Sequence, residues 1–167
     1  MRNLLITSLL AIALVALSPL AALPATTATQ TLTYEVAAID DIEVSGSPQP
    51  LIIDTALAGS EPTCATDSST TYTITTNGGS NSRKITAQLD SDMPDGLTLC
   101  ITLAGPAGAD TPPSKVTLTT TPTNAVTSID SVAESGLTIT YELSATIAAG
   151  VVDSATKTVT LTITASP

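Results

Sequence analysis

Apolar and polar residues alternate one by one through most of this chain. The clearest run is Leu137, Ile139, Tyr141, Leu143, Ala145 and Ile147, with polar or small residues between them. A period of two places every second side chain on one face of an extended strand, whereas a helix would need apolar residues three and four apart. Helical spacing is hard to find after the first few turns of sequence, so the chain is expected to be all-β.

The same alternation recurs at short intervals. Leu32, Tyr34 and Val36 mark a first strand, followed by Ile42 and Val44, and by Leu51 and Ile53 after the turn Pro48-Gln49-Pro50. Residues 56–68 have little periodicity and read as a loop. Residues 70–76 and 83–89 flank Asn77-Gly78-Gly79-Ser80-Asn81, where Asn and Gly accept the positive φ angles of a hairpin turn. Leu97, Leu99, Ile101 and Leu103 follow, with Cys100 on the opposite face, then Val116 and Leu118 after Pro112-Pro113. Val159, Leu161 and Ile163 close the chain, alternating with threonines, and residues 150–154 could turn the preceding long strand into this one. The spacing predicts a single Ig-like or jelly-roll-type antiparallel β-sandwich of about nine strands. Threonine suits the outward faces of such strands. With no Phe or Trp, the core falls to Val, Ile, Leu, Ala and three tyrosines.

The one long apolar run stands at the start. Arg2 precedes it, Leu4 to Leu17 carry it, and Pro19 ends it. Its length and flanks match a secretory signal peptide, taken as residues 1–28, and no stop-transfer pattern follows to hold it as an anchor. Residues 29–167 then form one β-sandwich domain, with no membrane span after signal removal. They carry Arg83, Lys84, Lys115 and Lys157 against 15 carboxylates. A surface this acidic repels nucleic acid and anionic membranes. In an oxidising compartment, secreted or at the cell surface, Cys64 and Cys100 are expected to form a disulfide stabilising the fold by roughly 4 kcal/mol.

Chemistry is hard to place on this chain. It has no histidine, which removes Ser-His-Asp and Cys-His catalysis and the common histidine metal sites. No nucleophile elbow, P-loop or dinucleotide fingerprint is present. No enzyme activity is expected. One constellation resembles a metal ligand set: Asp90, Asp92 and Asp95 in Asp90-Ser91-Asp92-Met93-Pro94-Asp95-Gly96 could offer oxygens to calcium. The spacing departs from an EF-hand loop, with Ile101 where a bidentate Glu would stand, and an acidic β-turn shaped by Pro94 and Gly96 explains it as well. Asp40, Asp41 and Glu43 form a second acidic cluster beside a strand. No other cofactor is implied.

Exposed sheet edges give a lead on function. Proteins usually guard edge strands with lysine, proline or bulges, and here the first and last strands carry threonines instead. Leu32, Tyr34 and Val36, near a free end, would suit a strand donated to a neighbouring molecule. Pairing within its own sandwich is the alternative. A signal peptide followed by one threonine-rich β-sandwich with a strand-like mature N-terminus resembles the TasA/camelysin-type biofilm fibre proteins and the archaeal bundling pilins. The resemblance implies subunits that join by strand donation, and it carries no functional residue across. The expectation is a structural protein that self-associates through edge strands into an extracellular filament or matrix. A monomeric binding or adhesion module using the loops at 56–68 or 105–114 is the competing reading.

Overall fold

A computed structural model describes residues 26–78, 81–109 and 115–166. The proposed signal run, the middle of the turn at 77–81 and the Pro112-Pro113 stretch lie outside the described residues. Residues up to Glu35 and those from Val36 onward are two separate units, and the sandwich is built from the second.

Eight strands are described, all paired antiparallel: β1 (Asp40–Val44), β2 (Ala65–Thr76), β3 (Arg83–Leu89), β4 (Leu97–Leu103), β5 (Val116–Thr117), β6 (Thr123–Ile129), β7 (Val132–Ala145) and β8 (Val159–Ala165). They form a five-stranded sheet, β1-β2-β7-β4-β5, and a three-stranded sheet, β6-β3-β8. The fold is the antiparallel all-β sandwich that the alternation predicts. The long run over 137–145 lies at the centre of the larger sheet. β7 pairs with β2 on one side and with β4 on the other.

The inner faces meet in one aliphatic core. Tyr72, Ile74, Ile85, Ala87, Ile101, Leu103, Ile129 and Ile139 are almost wholly buried. Tyr72 and Tyr141 serve in it, and the Tyr72 hydroxyl donates to the Ala104 carbonyl, giving a buried phenol the partner it needs. Burial pushes both phenols above their usual pKa, with nearby Glu134 and Asp67 adding to it. Tyr34, expected in the core, is exposed instead.

Three local expectations are corrected. Residues 70–76 and 83–89 are not a hairpin, because β2 belongs to the larger sheet and β3 to the smaller. β7 and β8 are likewise in different sheets, and Ile147 lies in a short 3-10 turn, Ile147–Ala149, beyond the end of β7. Leu51 and Ile53 face inward, half-buried, on a segment that joins neither sheet.

Candidate functional site

The two ends of the sandwich are built differently. At the end where β1, β3 and β7 begin and β2 finishes, polar side chains tie the sheets together. Asp40 stands opposite Thr76 in the β1/β2 register. Its carboxylate accepts from Arg83 Nε at 2.8 and 2.9 Å and from Thr76 Oγ1 at 2.7 Å. Arg83 opens β3 in the other sheet and also donates to the Asn81 carbonyl at 3.0 Å. These bonds hold Asp40 below the usual carboxylate pKa, Arg83 contributing most and Thr76 next. Asn77 completes this closed end: its Nδ2 donates to the Ala37 carbonyl at 2.7 Å, its Oδ1 accepts from Ile39 N at 3.0 Å, and its backbone N–H donates to the Ile39 carbonyl at 3.2 Å. Residues 37–39 are therefore pinned at the closed end before β1 starts. Asp40 thus belongs to a clamp, and not to the simple acidic cluster suggested by its proximity to Asp41 and Glu43.

Upstream of that anchor, every described residue from 26 to 38 is exposed and none lies in a strand. Leu32, Tyr34 and Val36 are 82%, 88% and 80% exposed. The alternation that marked a strand is present, yet no sheet of this chain takes it up among the described residues.

The opposite end is open. Along the inner face of β4 burial fades from Ile101 and Leu103, fully covered, through Leu99 to the half-buried Leu97; along β7 it fades from Ile139 through Tyr141 to Leu143. The smaller sheet covers these residues less towards this end, since β3 finishes at Leu89 and β8 starts only at Val159. Two segments outside the strands, 46–54 and 151–157, flank the gap. Neither has a backbone hydrogen bond to another described residue. Between them run two adjoining hollows of ≈ 750 and ≈ 620 Å³, with Met93, Leu97, Leu99, Tyr141 and Leu143 among their lining residues. Lys157 is at the rim, its Nζ donating to Ser91 Oγ at 2.8 Å and to the Asp92 carbonyl at 2.6 Å.

The acidic turn lies beside this gap, and its carboxylates are engaged in shaping it. Asp90 Oδ1 accepts from Thr158 N at 3.2 Å, and Asp92 Oδ1 accepts from Thr120 N at 3.3 Å. Among the described residues, no three carboxylate, thiol or imidazole side chains gather as a metal site, so Asp90, Asp92 and Asp95 are not brought together. Pro94 and Gly96 set the turn, with Leu97 N donating to the Pro94 carbonyl at 3.0 Å.

The expected disulfide is absent. Cys64 is exposed, Cys100 is buried, and both are free thiols. The register explains why. Cys64 leads into β2 and Cys100 lies in β4, with β7 between them. Two strand spacings separate the two backbones by roughly 9.5 Å, beyond the reach of about 7 Å between bridged Cα atoms. Cys100 does point away from the leucines of β4, as the alternation predicts, and its Sγ lies 3.7 Å from Thr117 Oγ1 on β5. On that outer face Lys115 Nζ meets Glu142 Oε1 at 2.9 Å, and this hydrogen bond raises the lysine pKa.

Among the described residues no helix is long and apolar enough to cross a membrane. No family model, curated protein or solved structure matches the chain.

Proposed function

We propose that this chain is a secreted or cell-surface structural protein, a subunit that assembles into an extracellular filament or matrix by β-strand addition and has no catalytic role. The observation that carries the reading is the exposed segment at 26–38, whose Leu32, Tyr34 and Val36 alternate as in a buried strand while standing in water. Covering a Leu or Val side chain is worth about 1.5–3 kcal/mol, so the three together supply somewhat more than 5 kcal/mol. Association costs about 4–15 kcal/mol in lost freedom. Side chains alone barely meet that cost, and the remainder falls to backbone hydrogen bonds at about 0.5–1.5 kcal/mol each, as in a paired strand. The threonine-lined edge strand β8 and a surface with few lysines are consistent with such pairing.

Size-exclusion chromatography with light scattering, together with negative-stain microscopy, tests the reading on secreted protein with and without residues 29–38. Filaments or a ladder of oligomers that vanish on truncation are the expected result. A monomer in both cases would overturn it and direct attention to ligands of the loops at 56–68 and 105–114.

A further inference from the structure

We propose that the free edge of β8 pairs antiparallel with β8 of a second copy of this chain, across a two-fold axis at Thr162, so that the two smaller sheets become one continuous sheet. The contact uses a strand already inside the sandwich. It therefore goes beyond the strand-addition reading and does not depend on residues 29–38.

Three observations select β8 and a second copy as its partner. The first is the state of the sheet edges. Four strands stand at edges, β1 and β5 in the larger sheet and β6 and β8 in the smaller. Three of them are built in ways that discourage pairing. β1 carries Asp40, Asp41 and Glu43, β5 is two residues long, and β6 is bent by register shifts against β3 and by Ser128 at φ 55°. β8 has none of these devices. It follows β3 without a shift, from Val159 opposite Leu89 to Ala165 opposite Arg83, and residues 158–166 contain no proline, lysine or carboxylate. In a chain with 15 carboxylates, this neutral edge lets two copies approach without setting like charges against each other.

The second observation is the direction of the backbone groups. Asp90 N donates to the Thr158 carbonyl at 3.0 Å, and Ser166 N donates to the Ser82 carbonyl at 2.8 Å, so the even-numbered residues of β8 turn their backbone groups towards β3. The N–H and C=O groups of Val159, Leu161, Ile163 and Ala165 then point outward, and β3 is the strand's only partner among the described residues.

The third is self-complementarity. With Thr162 on the axis, Leu161 stands opposite Ile163 of the second copy and Val159 opposite its Ala165. These are the outward-directed residues, so each such pair exchanges both N–H···O bonds. On the other face threonine meets threonine, Thr162 against itself and Thr160 against Thr164. Val159, Leu161 and Ile163 are only partly buried against the core, and a neighbouring strand covers more of them. A second copy supplies this matching order by symmetry.

Single cysteines on the full secreted chain test the contact, in a Cys64→Ser background so that the native exposed thiol cannot link copies. Oxidised glutathione should convert Thr162→Cys into a disulfide-linked dimer, since its side chains meet in the closer, non-hydrogen-bonded type of pair. Thr160→Cys and Thr164→Cys should each remain unlinked alone and form a linked dimer when mixed. Thr162→Lys changes an exposed side chain and should raise the dimer dissociation constant about tenfold or more in sedimentation equilibrium. Thr160→Cys linking to itself as readily as Thr162→Cys, or a dimer indifferent to Thr162→Lys, would overturn the proposal. Deleting residues 29–38 separates it from the strand-addition reading, because the β8 dimer should remain after larger assemblies are lost. Filaments before truncation and monomers after it would overturn the dimer alone; a dimer in both, with nothing larger, would overturn strand addition alone.

Discussion

The two ends of the sandwich solve the same problem in opposite ways. A pair of stacked sheets must be closed where its strands stop, or the core is open to water. At one end Asp40, Thr76, Arg83 and Asn77 close it with side-chain hydrogen bonds, of which Arg83 to Asp40 crosses from one sheet to the other. At the other the larger sheet continues past the smaller one, the closing segments 46–54 and 151–157 remain unpaired, and the inner leucines are only part covered. The closed end is self-sufficient; the open end has unused backbone groups and apolar surface. The difference teaches that one small domain can keep its sheets tied at one end while leaving backbone groups and apolar surface unused at the other.

The sharpest way to break this comparison is at the clamp. Arg83 and Asp40 side chains are 10% and 29% exposed, so removing the cation leaves a partly solvated carboxylate with Thr76 as its remaining partner. Arg83→Met should destabilise the fold by about 2–4 kcal/mol at neutral pH, read as a shift in the urea midpoint. Replacing Asp40 by leucine as well should recover much of that loss, because no charge is then left unpaired. The pH dependence has a definite sign. Asp40 is held below its ordinary value of 3.8 in the folded protein, so its contribution is present above 3.8 and is lost as pH falls through the lower folded value. Wild type and Arg83→Met should therefore converge in stability towards pH 2. A constant difference across that range would show that the clamp works by packing and not by charge.

The open end has its own fixed point, and a smaller effect is expected there. Gly96 sits at φ 81°, and a Cβ at that position would lie 2.7 Å from the backbone nitrogen of Ala149. Its carbonyl also accepts from Thr146 N at 2.8 Å, which holds the 3-10 turn against the start of β4. Gly96→Ala should cost about 1–3 kcal/mol through the left-handed backbone and the displaced turn. An unchanged urea midpoint for Gly96→Ala would show that the turn yields without cost.

Much of the architecture was legible because period two survives wherever a strand is regular. β7 from Leu137 onward and β8 follow the alternation, and the outward threonines of β8 lie where a solvated face requires them. β6 escaped for a physical reason: its buried residues are Ala125, Val126 and Ile129, and the spacing is broken by register shifts against β3 and by Ser128 at φ 55°. The sheet change between β2 and β3 was not legible, because Asn and Gly report that the chain can turn, not which sheet it enters next. The cysteines carried no distance information, and only the strand order, with β7 between them, showed that they cannot meet. The hollow was illegible altogether, since it arises from where one sheet stops relative to the other. Leu32, Tyr34 and Val36 were legible as a strand, and their exposure is the part only the structure supplies.

Between the two ends, the middle of β2 offers the smallest test and the cleanest control. Thr70 stands opposite Ile139, next to the irregularity that shifts the β2/β7 register after Asp67. It is buried, and its Oγ1 has no hydrogen-bond partner. A hydroxyl taken from water without a partner costs about 1–3 kcal/mol, and valine has nearly the same shape without that oxygen. Thr70→Val should therefore stabilise the fold by about 1 kcal/mol, seen as a higher urea midpoint with an unchanged slope. Because Thr70 lies outside the clamp, the gain should add independently to the effect of Arg83→Met. If the two effects failed to add, the middle of β2 and the closed end would be one coupled unit, and the contrast between a self-sufficient end and the rest of the sandwich would fail.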